Sequence, residues 1–355
     1  LVDPTKIKSV PLPGGAIRSL RASYYFMGAL LGKFGEAIVG FPGGDNIGPR
    51  PIDQHIKGFK ALGAHVEEKE NTVHITTGPE GLHGARIFFD LVSVGATINV
   101  LLAAVKAKGL TIMENVAREP EIVDLATFLN NMGAHIRGAG TNEIRIQGVD
   151  SLKSMNVHTI IPDRIEAGTY LSFAAANGNG VLVKNVITEH LDPFLSKLEE
   201  MGVRMEIDED EIYVPGGDVL SPVNIKTSPF PGFATDLQQP ITPLLMQARG
   251  SSTIIDTLYP ERTKHIPEMQ RMGAKISSKD GIITVGHSTD LSGTVVEAGE
   301  IRAGVSLVGL ALMAKGTTVI NKADNILRGY DRIVEKFRGL SVDLEVINES
   351  ESLNH

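Results

Sequence analysis

The residues best suited to chemistry lie in the stretch Pro42-Gly-Gly-Asp-Asn-Ile-Gly-Pro-Arg-Pro51. Gly43, Gly44 and Gly48 permit positive φ and close backbone approach, while Pro42, Pro49 and Pro51 stiffen the ends. A loop of this kind can close like a lid and carry Asp45 at its tip. Arg50 offers a planar fork for phosphate or carboxylate. The same composition also suits an ordinary surface turn. A second set of residues recurs where apolar helices begin: Arg21-Ala-Ser, Ser93-Val-Gly, Arg164-Ile-Glu, Asp236-Leu-Gln and Arg302-Ala-Gly. A helix start presents unsatisfied N–H groups and a positive dipole end, which favour anions. For Ser93 and Asp236 helix capping is the competing reading. Arg is not a preferred cap, so three arginines at one repeated position set an anionic ligand beside surface charge as readings of equal standing.

These positions are set by an internal repeat of about 70 residues, seen five times. One marker is a helix end: KALGAHV to Val66, NNMGAHI to Ile136, EEMGVRM to Met205, QRMGAKI to Ile276 and the degraded RGLSVDL to Leu344. Its glycines are Gly63, Gly133, Gly202 and Gly273, with Ser341 in the fifth slot. The other marker is an apolar helix running to Gly35, Gly109, Gly180, Gly250 or Gly316, then a short β-branched strand. The terminal glycine is expected to be the left-handed cap of each helix. Within one repeat, Asn71–Thr77 alternates as a half-buried strand and Val94–Lys108 forms an apolar helix. Strands alternating with helices around a repeated core predict a layered α/β fold. The domain break is expected near Thr159–Arg164, giving a domain over 1–160 and a second of three repeat units over 161–355. Counting back about 70 residues from Gly63 places another marker roughly seven positions before Leu1. The spacing therefore predicts five and a fraction units of a six-unit protein, with the first unit largely missing and the first domain incomplete at its N-terminus.

Composition narrows the function class. Of 355 residues, 42% are hydrophobic and 21% charged, as in ordinary globular proteins. A net charge of −8 argues against a general nucleic-acid surface but leaves room for a local cationic pocket. The absence of cysteine excludes disulfides, thiolate metal sites and a cysteine nucleophile. Apolar runs such as Val305–Ala314 fall short of the ~18 residues that span a bilayer. The N-terminal residues lack a signal-peptide core, so a cytoplasmic location is expected. His55, His65, His74 and His83 fall on different elements, and no spacing suggests a metal site.

PGGDNIGPRPIDQHIKGFKALGA closely resembles the substrate-binding loop of the UDP-N-acetylglucosamine enolpyruvyl transferase family. The resemblance continues through SLRAS (19–23), SVGAT (93–97), AREPEIVD (117–124), IIPDRIEAGT (160–169), PGFATDLQQP (231–240) and LRGYD (327–331), covering essentially the whole chain. It implies a two-domain, inside-out α/β barrel of repeated units with helices inside. It also implies transfer of the enolpyruvyl group of phosphoenolpyruvate to the 3-hydroxyl of UDP-N-acetylglucosamine, with release of phosphate, in peptidoglycan precursor synthesis. No cofactor is implied, and the partners are the two small-molecule substrates, with neither nucleic acid nor membrane insertion.

By the same resemblance, Asp45 corresponds to the proton donor to the methylene carbon. Arg50 and Arg328 correspond to phosphoenolpyruvate binders, with Arg21 and Arg302 as further cations around the anionic substrates. Asp236 matches the carboxylate that bonds the sugar hydroxyl and takes its proton. Arg50, Pro51, Asp53, Gln54, Ser93, Val94 and Gly95 match segments that hold the nucleotide sugar. The chain departs from the family's pattern in four places. Asp45 stands where cysteine, the target of fosfomycin, is usual, so fosfomycin insensitivity is expected. The family's Lys-Asn-Ala segment would lie upstream of Leu1. Glu300-Ile-Arg-Ala replaces Asp-Leu-Arg-Ala, and Leu91 stands where some members have Lys. A shikimate 3-phosphate enolpyruvyl transferase and a non-catalytic nucleotide-sugar binder are the alternatives. The PGG…IGPRP loop and SVGAT speak against the first, and phosphate release would exclude the second.

Overall fold

The computed structural model describes residues 7–8, 10–12, 21–41, 43–45, 47–69, 71–153 and 157–347. Pro42 of the glycine-rich loop and the first six residues lie outside them. The chain forms two compact α/β units: one comprises 1–45, 49–161 and 229–231, the other 46–48, 162–228 and 232–355.

In the first unit, Glu36–Gly40, Thr72–Thr77 and Ala64–Lys69 form an antiparallel sheet with Thr72–Thr77 in the middle. A second sheet runs Arg86–Phe88, Leu110–Glu114, Glu143–Gln147, His135–Arg137, parallel across the first pair and antiparallel thereafter. The second unit repeats that four-stranded plan with Asn224–Lys226, Ser251–Ile255, Ile282–Gly286 and Ile276–Lys279. It also holds a three-stranded sheet around Glu211–Val214 and a parallel pair, Val295–Glu297 with Val319–Asn321. Strand residues alternate in burial, as in Thr72–Thr77 where Val73 and Ile75 are buried, because one face meets the core.

Helices fill the interior. Val94–Ala104 buries Gly95, Ala96, Thr97, Asn99, Val100, Leu101, Ala103 and Ala104, too many for one face. Ile301–Ala311 buries every residue from Ala303 to Leu310. A helix apolar all round belongs in a core. Phe26–Phe34 packs against Val94–Ala104 closely enough that a Cβ on Gly28 would stand 2.1 Å from the Asn99 carbonyl oxygen. Glycine is the residue that allows this approach, and the Gly28 N–H donates to Asn99 Oδ1 at 2.8 Å.

The helix-end marker proves conformational. Gly63, Gly133, Gly202 and Gly273 have φ of 91°, 101°, 90° and 92°, and Ser341, in the degraded copy, has 61°. The second marker needs correction. Gly35 is the left-handed cap of Phe26–Phe34, but Val94–Ala104, Arg164–Asn177 and Ile301–Ala311 end several residues before Gly109, Gly180 and Gly316. After Ala104 the chain tightens, Lys106 N–H donating to Ala103 O and Ala107 N–H to Ala104 O. Those glycines, with φ of 97°, 91° and 84°, instead turn the chain into the next strand. The expected helix before Gly250 is two short pieces, Thr235–Gln238 and Thr242–Leu245. Pro240 falls between them and supplies no N–H to continue the ladder.

Candidate functional site

The second unit builds its site around Asp236, in the short helix Thr235–Gln238. Its start is locked by Asp256, 4% exposed, which accepts from Thr227 Oγ1 (2.8 Å), Thr235 Oγ1 (2.6 Å) and the N–H groups of Leu258 and Tyr259. Arg262 Nη1 donates to Asp236 Oδ1 at 2.7 Å and to Thr235 Oγ1 at 3.2 Å. Arg302, in the first turn of Ile301–Ala311, donates from Nε and Nη2 to Asp236 Oδ2, both at 3.3 Å. Each carboxylate oxygen therefore answers to a different guanidinium. Burial alone would raise the Asp236 carboxyl, but the charges and hydrogen bonds of Arg262 and Arg302 hold it far below the usual carboxylate range. Asp236 is an anion at neutral pH.

Behind this carboxylate lies a buried polar chain. Arg262 and Glu300 are 3% and 2% exposed, and Arg262 Nε and Nη2 donate to Glu300 Oε1 and Oε2 at 3.3 and 3.2 Å. Gln239 Nε2 donates to Glu300 Oε1 at 2.6 Å and to His265 Nδ1 at 3.1 Å. Burial, then the Arg262 charge, pushes the His265 imidazole down to about 3, so the ring is neutral and Nδ1 accepts. Tyr330 is 1% exposed; its ring centroid lies 5.2 Å from Arg302 Cζ, and its hydroxyl meets Thr169 Oγ1 at 3.0 Å. Tyr330 thus holds Arg302 from the side away from bulk water.

The first unit gathers its candidates around Arg21. Arg21 Nη2 donates to the Arg50 carbonyl at 2.9 Å, and a Cβ on Gly44 would stand 2.9 Å from Arg21 Cβ. Arg21 therefore underlies the loop at both Gly44 and Arg50, on either side of the half-buried Asp45. Arg21 Cζ also lies 5.1 Å from the Tyr24 ring centroid. The Tyr24 hydroxyl sits where a Cβ on Gly95 would be, 2.3 Å away, which explains the glycine after Ser93 and Val94. Ser93 caps Val94–Ala104, its Oγ accepting from Ala96 N–H at 3.2 Å, so the capping reading applies there. Gln54, 5% exposed, donates to Asp53 Oδ2 (2.8 Å) and Asp90 Oδ2 (3.2 Å), while its Oε1 accepts from Asp90 N–H (2.9 Å). Lys57 pairs with Asp90 at 2.7 Å, and Pro51, Asp53 and Leu91 are exposed beside them.

The structure thus groups Arg21, the 43–45 segment, Arg50 and Gly95 in one unit, and Asp236 with Arg302 in the other. Arg328, an exposed residue closing Asp324–Leu327, lies two residues before Tyr330. Arg262, Gln239 and Tyr330 carry no repeated marker, His265 shares its repeat position with His55, and none of the four was among the expected site residues. Gln239 lies inside the ATDLQQP motif, and Glu300 stood out only as a departure. Among the described residues no group of three or more His, Cys, Asp or Glu is placed to hold a metal ion. No helix among them is long and apolar enough to cross a membrane.

Residues 1–337 match the family model described as EPSP synthase (3-phosphoshikimate 1-carboxyvinyltransferase). A UDP-N-acetylglucosamine 1-carboxyvinyltransferase 2 of Lactiplantibacillus plantarum is 64% identical over 350 residues, covering 99% of this chain and 82% of that protein. The UDP-N-acetylglucosamine 1-carboxyvinyltransferase of Streptococcus pneumoniae is 55% identical over 348 residues, covering 98% and 83%. The chain belongs to the UDP-N-acetylglucosamine 1-carboxyvinyltransferase family. The fold of that family extends further than its sequence. The enolpyruvyl transferase NikO of Streptomyces tendae superposes with a TM-score of 0.79 at 22% identity, covering 90% of this chain and 76% of that one. An EPSP synthase of Acinetobacter baumannii superposes at 0.65 with 19% identity, covering 89% and 77%. The two-unit α/β fold is that of the enolpyruvyl transferases.

Proposed function

We propose that the protein transfers the enolpyruvyl group of phosphoenolpyruvate to the 3-hydroxyl of UDP-N-acetylglucosamine, releasing phosphate, as a step of cytoplasmic peptidoglycan precursor synthesis. The observation that carries the reading is Asp236, ionised and held oxygen by oxygen between Arg262 and Arg302. A carboxylate so fixed accepts the sugar-hydroxyl proton as the oxygen attacks C2 of phosphoenolpyruvate. Asp45 gives a proton to C3, leaving a tetrahedral ketal that still carries phosphate. Loss of a proton from C3 and departure of phosphate regenerate the double bond in the product. Arg21, Arg50, Arg302 and Arg328 neutralise the phosphate and carboxylate charges. An arriving anion competes with Asp236 for Arg302, which raises the basicity of Asp236 when substrate is present. Pro51, Asp53, Gln54, Ser93, Val94 and Gly95 hold the nucleotide sugar.

The test is phosphate release by the natural full-length protein. It should require phosphoenolpyruvate and UDP-N-acetylglucosamine together and should not occur with shikimate 3-phosphate. Release with shikimate 3-phosphate in place of the nucleotide sugar, or binding of the nucleotide sugar without release, would overturn the reading.

A further inference from the structure

We propose that Glu300 and Gln239 are positioning residues for the carboxylate of Asp236, acting through Arg262 without touching substrate. The inference rests on the reading of Asp236 as the proton acceptor, and its starting point is how the donors of Arg262 are divided. Nε and Nη2 go to Glu300, leaving Nη1 for Asp236 Oδ1. Freed from Glu300, the guanidinium could turn its fork on both oxygens of Asp236, the geometry it favours. Oδ2 would then be drawn from Arg302, and one carboxylate would face two cations, leaving one positive charge uncompensated. With Glu300 in place, two arginines meet two carboxylates and the cluster is neutral.

Glu300 is itself fixed. Its Oε1 accepts from both Arg262 and Gln239, and Gln239 has one orientation open to it because His265 Nδ1 takes the same amide nitrogen. A flipped amide would set Gln239 Oε1 against Glu300 Oε1. The Ile301–Ala311 helix start thus serves Asp236 twice, directly through Arg302 and from behind through Glu300. The carboxylate at 300 is one methylene longer than aspartate, and it reaches Arg262 and Gln239 together.

Substitution in the full-length protein separates positioning from simple charge burial. Glu300→Gln presents an amide donor to Gln239 and should lower kcat by about 100-fold while changing the Kd for UDP-N-acetylglucosamine by less than about threefold. Glu300→Asp keeps the charge and should recover most of that loss, and Gln239→Ala should cost about tenfold in kcat. In an Asp236→Asn background, Glu300→Gln should add less than about threefold, since its route to the chemistry is already cut. An activity-free readout accompanies these, the solvent exchange of the Arg262 Nε–H followed by ¹⁵N-arginine NMR. It should be slow in the parent and fast in Glu300→Gln. Additive losses in the double variant, a kcat for Glu300→Gln within threefold of the parent, or a rapidly exchanging Nε–H in the parent would overturn the proposal. A parent with a protected Nε–H but no phosphate release would overturn the functional reading, and with it the catalytic role assigned to the network.

Discussion

His55 and His265 occupy the same place in two repeats, each eight residues before its marker glycine, Gly63 or Gly273, and each followed by Ile. Both are buried, and each receives an amide N–H on Nδ1, from Asn99 at 3.0 Å and from Gln239 at 3.1 Å. Burial, then a nearby arginine, pushes them down to about 4 and about 3. The difference is where the amide leads. Asn99 spends its other bonds on backbone, giving Nδ2–H to the Tyr24 carbonyl and receiving the Gly28 N–H, so its network closes within the core. Gln239 passes on to Glu300, Arg262 and Asp236. One repeat position thus serves to lock two helices together in the first unit and to brace the candidate carboxylate Asp236 in the second.

The two candidate acid–base residues follow the same contrast, one on a glycine-rich loop and one in a buried frame. Asp236→Asn should lower turnover by about a thousandfold or more, since a neutral amide accepts no proton. Asp45→Asn should cost as much for the opposite reason, an amide N–H being far too weak an acid to protonate carbon, with nucleotide-sugar binding retained in steady-state and equilibrium assays. Cysteine separates them. Asp45→Cys should keep turnover and become inactivated by fosfomycin, because a chain without cysteine would then gain an alkylatable thiolate. Asp236→Cys should be inactive, since a thiolate stabilised by two arginines is a weak base and its single sulfur cannot meet both guanidiniums as the two carboxylate oxygens do. Equal tolerance at both positions would erase the distinction.

A smaller effect is expected at the paired amides. Asn99→Ala strands the buried Gly28 N–H and the Tyr24 carbonyl, so denaturant unfolding should show a loss of about 2 kcal/mol with kcat of the folded enzyme changed less than about threefold. Gln239→Ala should cost comparable stability but also the kcat loss proposed above. A kcat loss in Asn99→Ala as large as that in Gln239→Ala would break the contrast.

A pH effect is shared by both histidines. The unfolded imidazoles titrate near 6.5 and the folded ones near 4 and 3, so between those values the unfolded chain binds more protons. Stability is therefore intact above pH 6.5 and falls as pH drops toward 4, by on the order of 3 kcal/mol for His55 alone. Melting temperature should decline through this window, and His55→Gln should flatten part of the decline. A melting temperature constant from pH 7 to 4.5 would mean that neither ring is held neutral.

What the sequence revealed and what it hid divide along physical lines. The left-handed turns were legible because one backbone conformation recurs and glycine relieves it each time. Even Ser341 keeps that conformation after losing the glycine. The buried helices showed as apolar runs, but their ends were misplaced, since the turn after Ala104 shortens the helix without a distinctive residue. Arg21, Asp45, Arg50 and Asp236 could be named because they sit in motifs. Arg262, Gln239, Glu300 and Tyr330 act through neighbours distant in sequence, such as the 38 residues between Arg262 and Glu300, and no local pattern records that proximity.

The most direct test is a crystal structure of the full-length protein with UDP-N-acetylglucosamine and phosphoenolpyruvate bound. It should show the sugar 3-hydroxyl within hydrogen-bond distance of Asp236, the phosphate among Arg21, Arg50, Arg302 and Arg328, and Asp45 facing the methylene carbon. A nucleotide sugar seated with its 3-hydroxyl turned away from Asp236, or those arginines facing separate surfaces, would contradict the assignment.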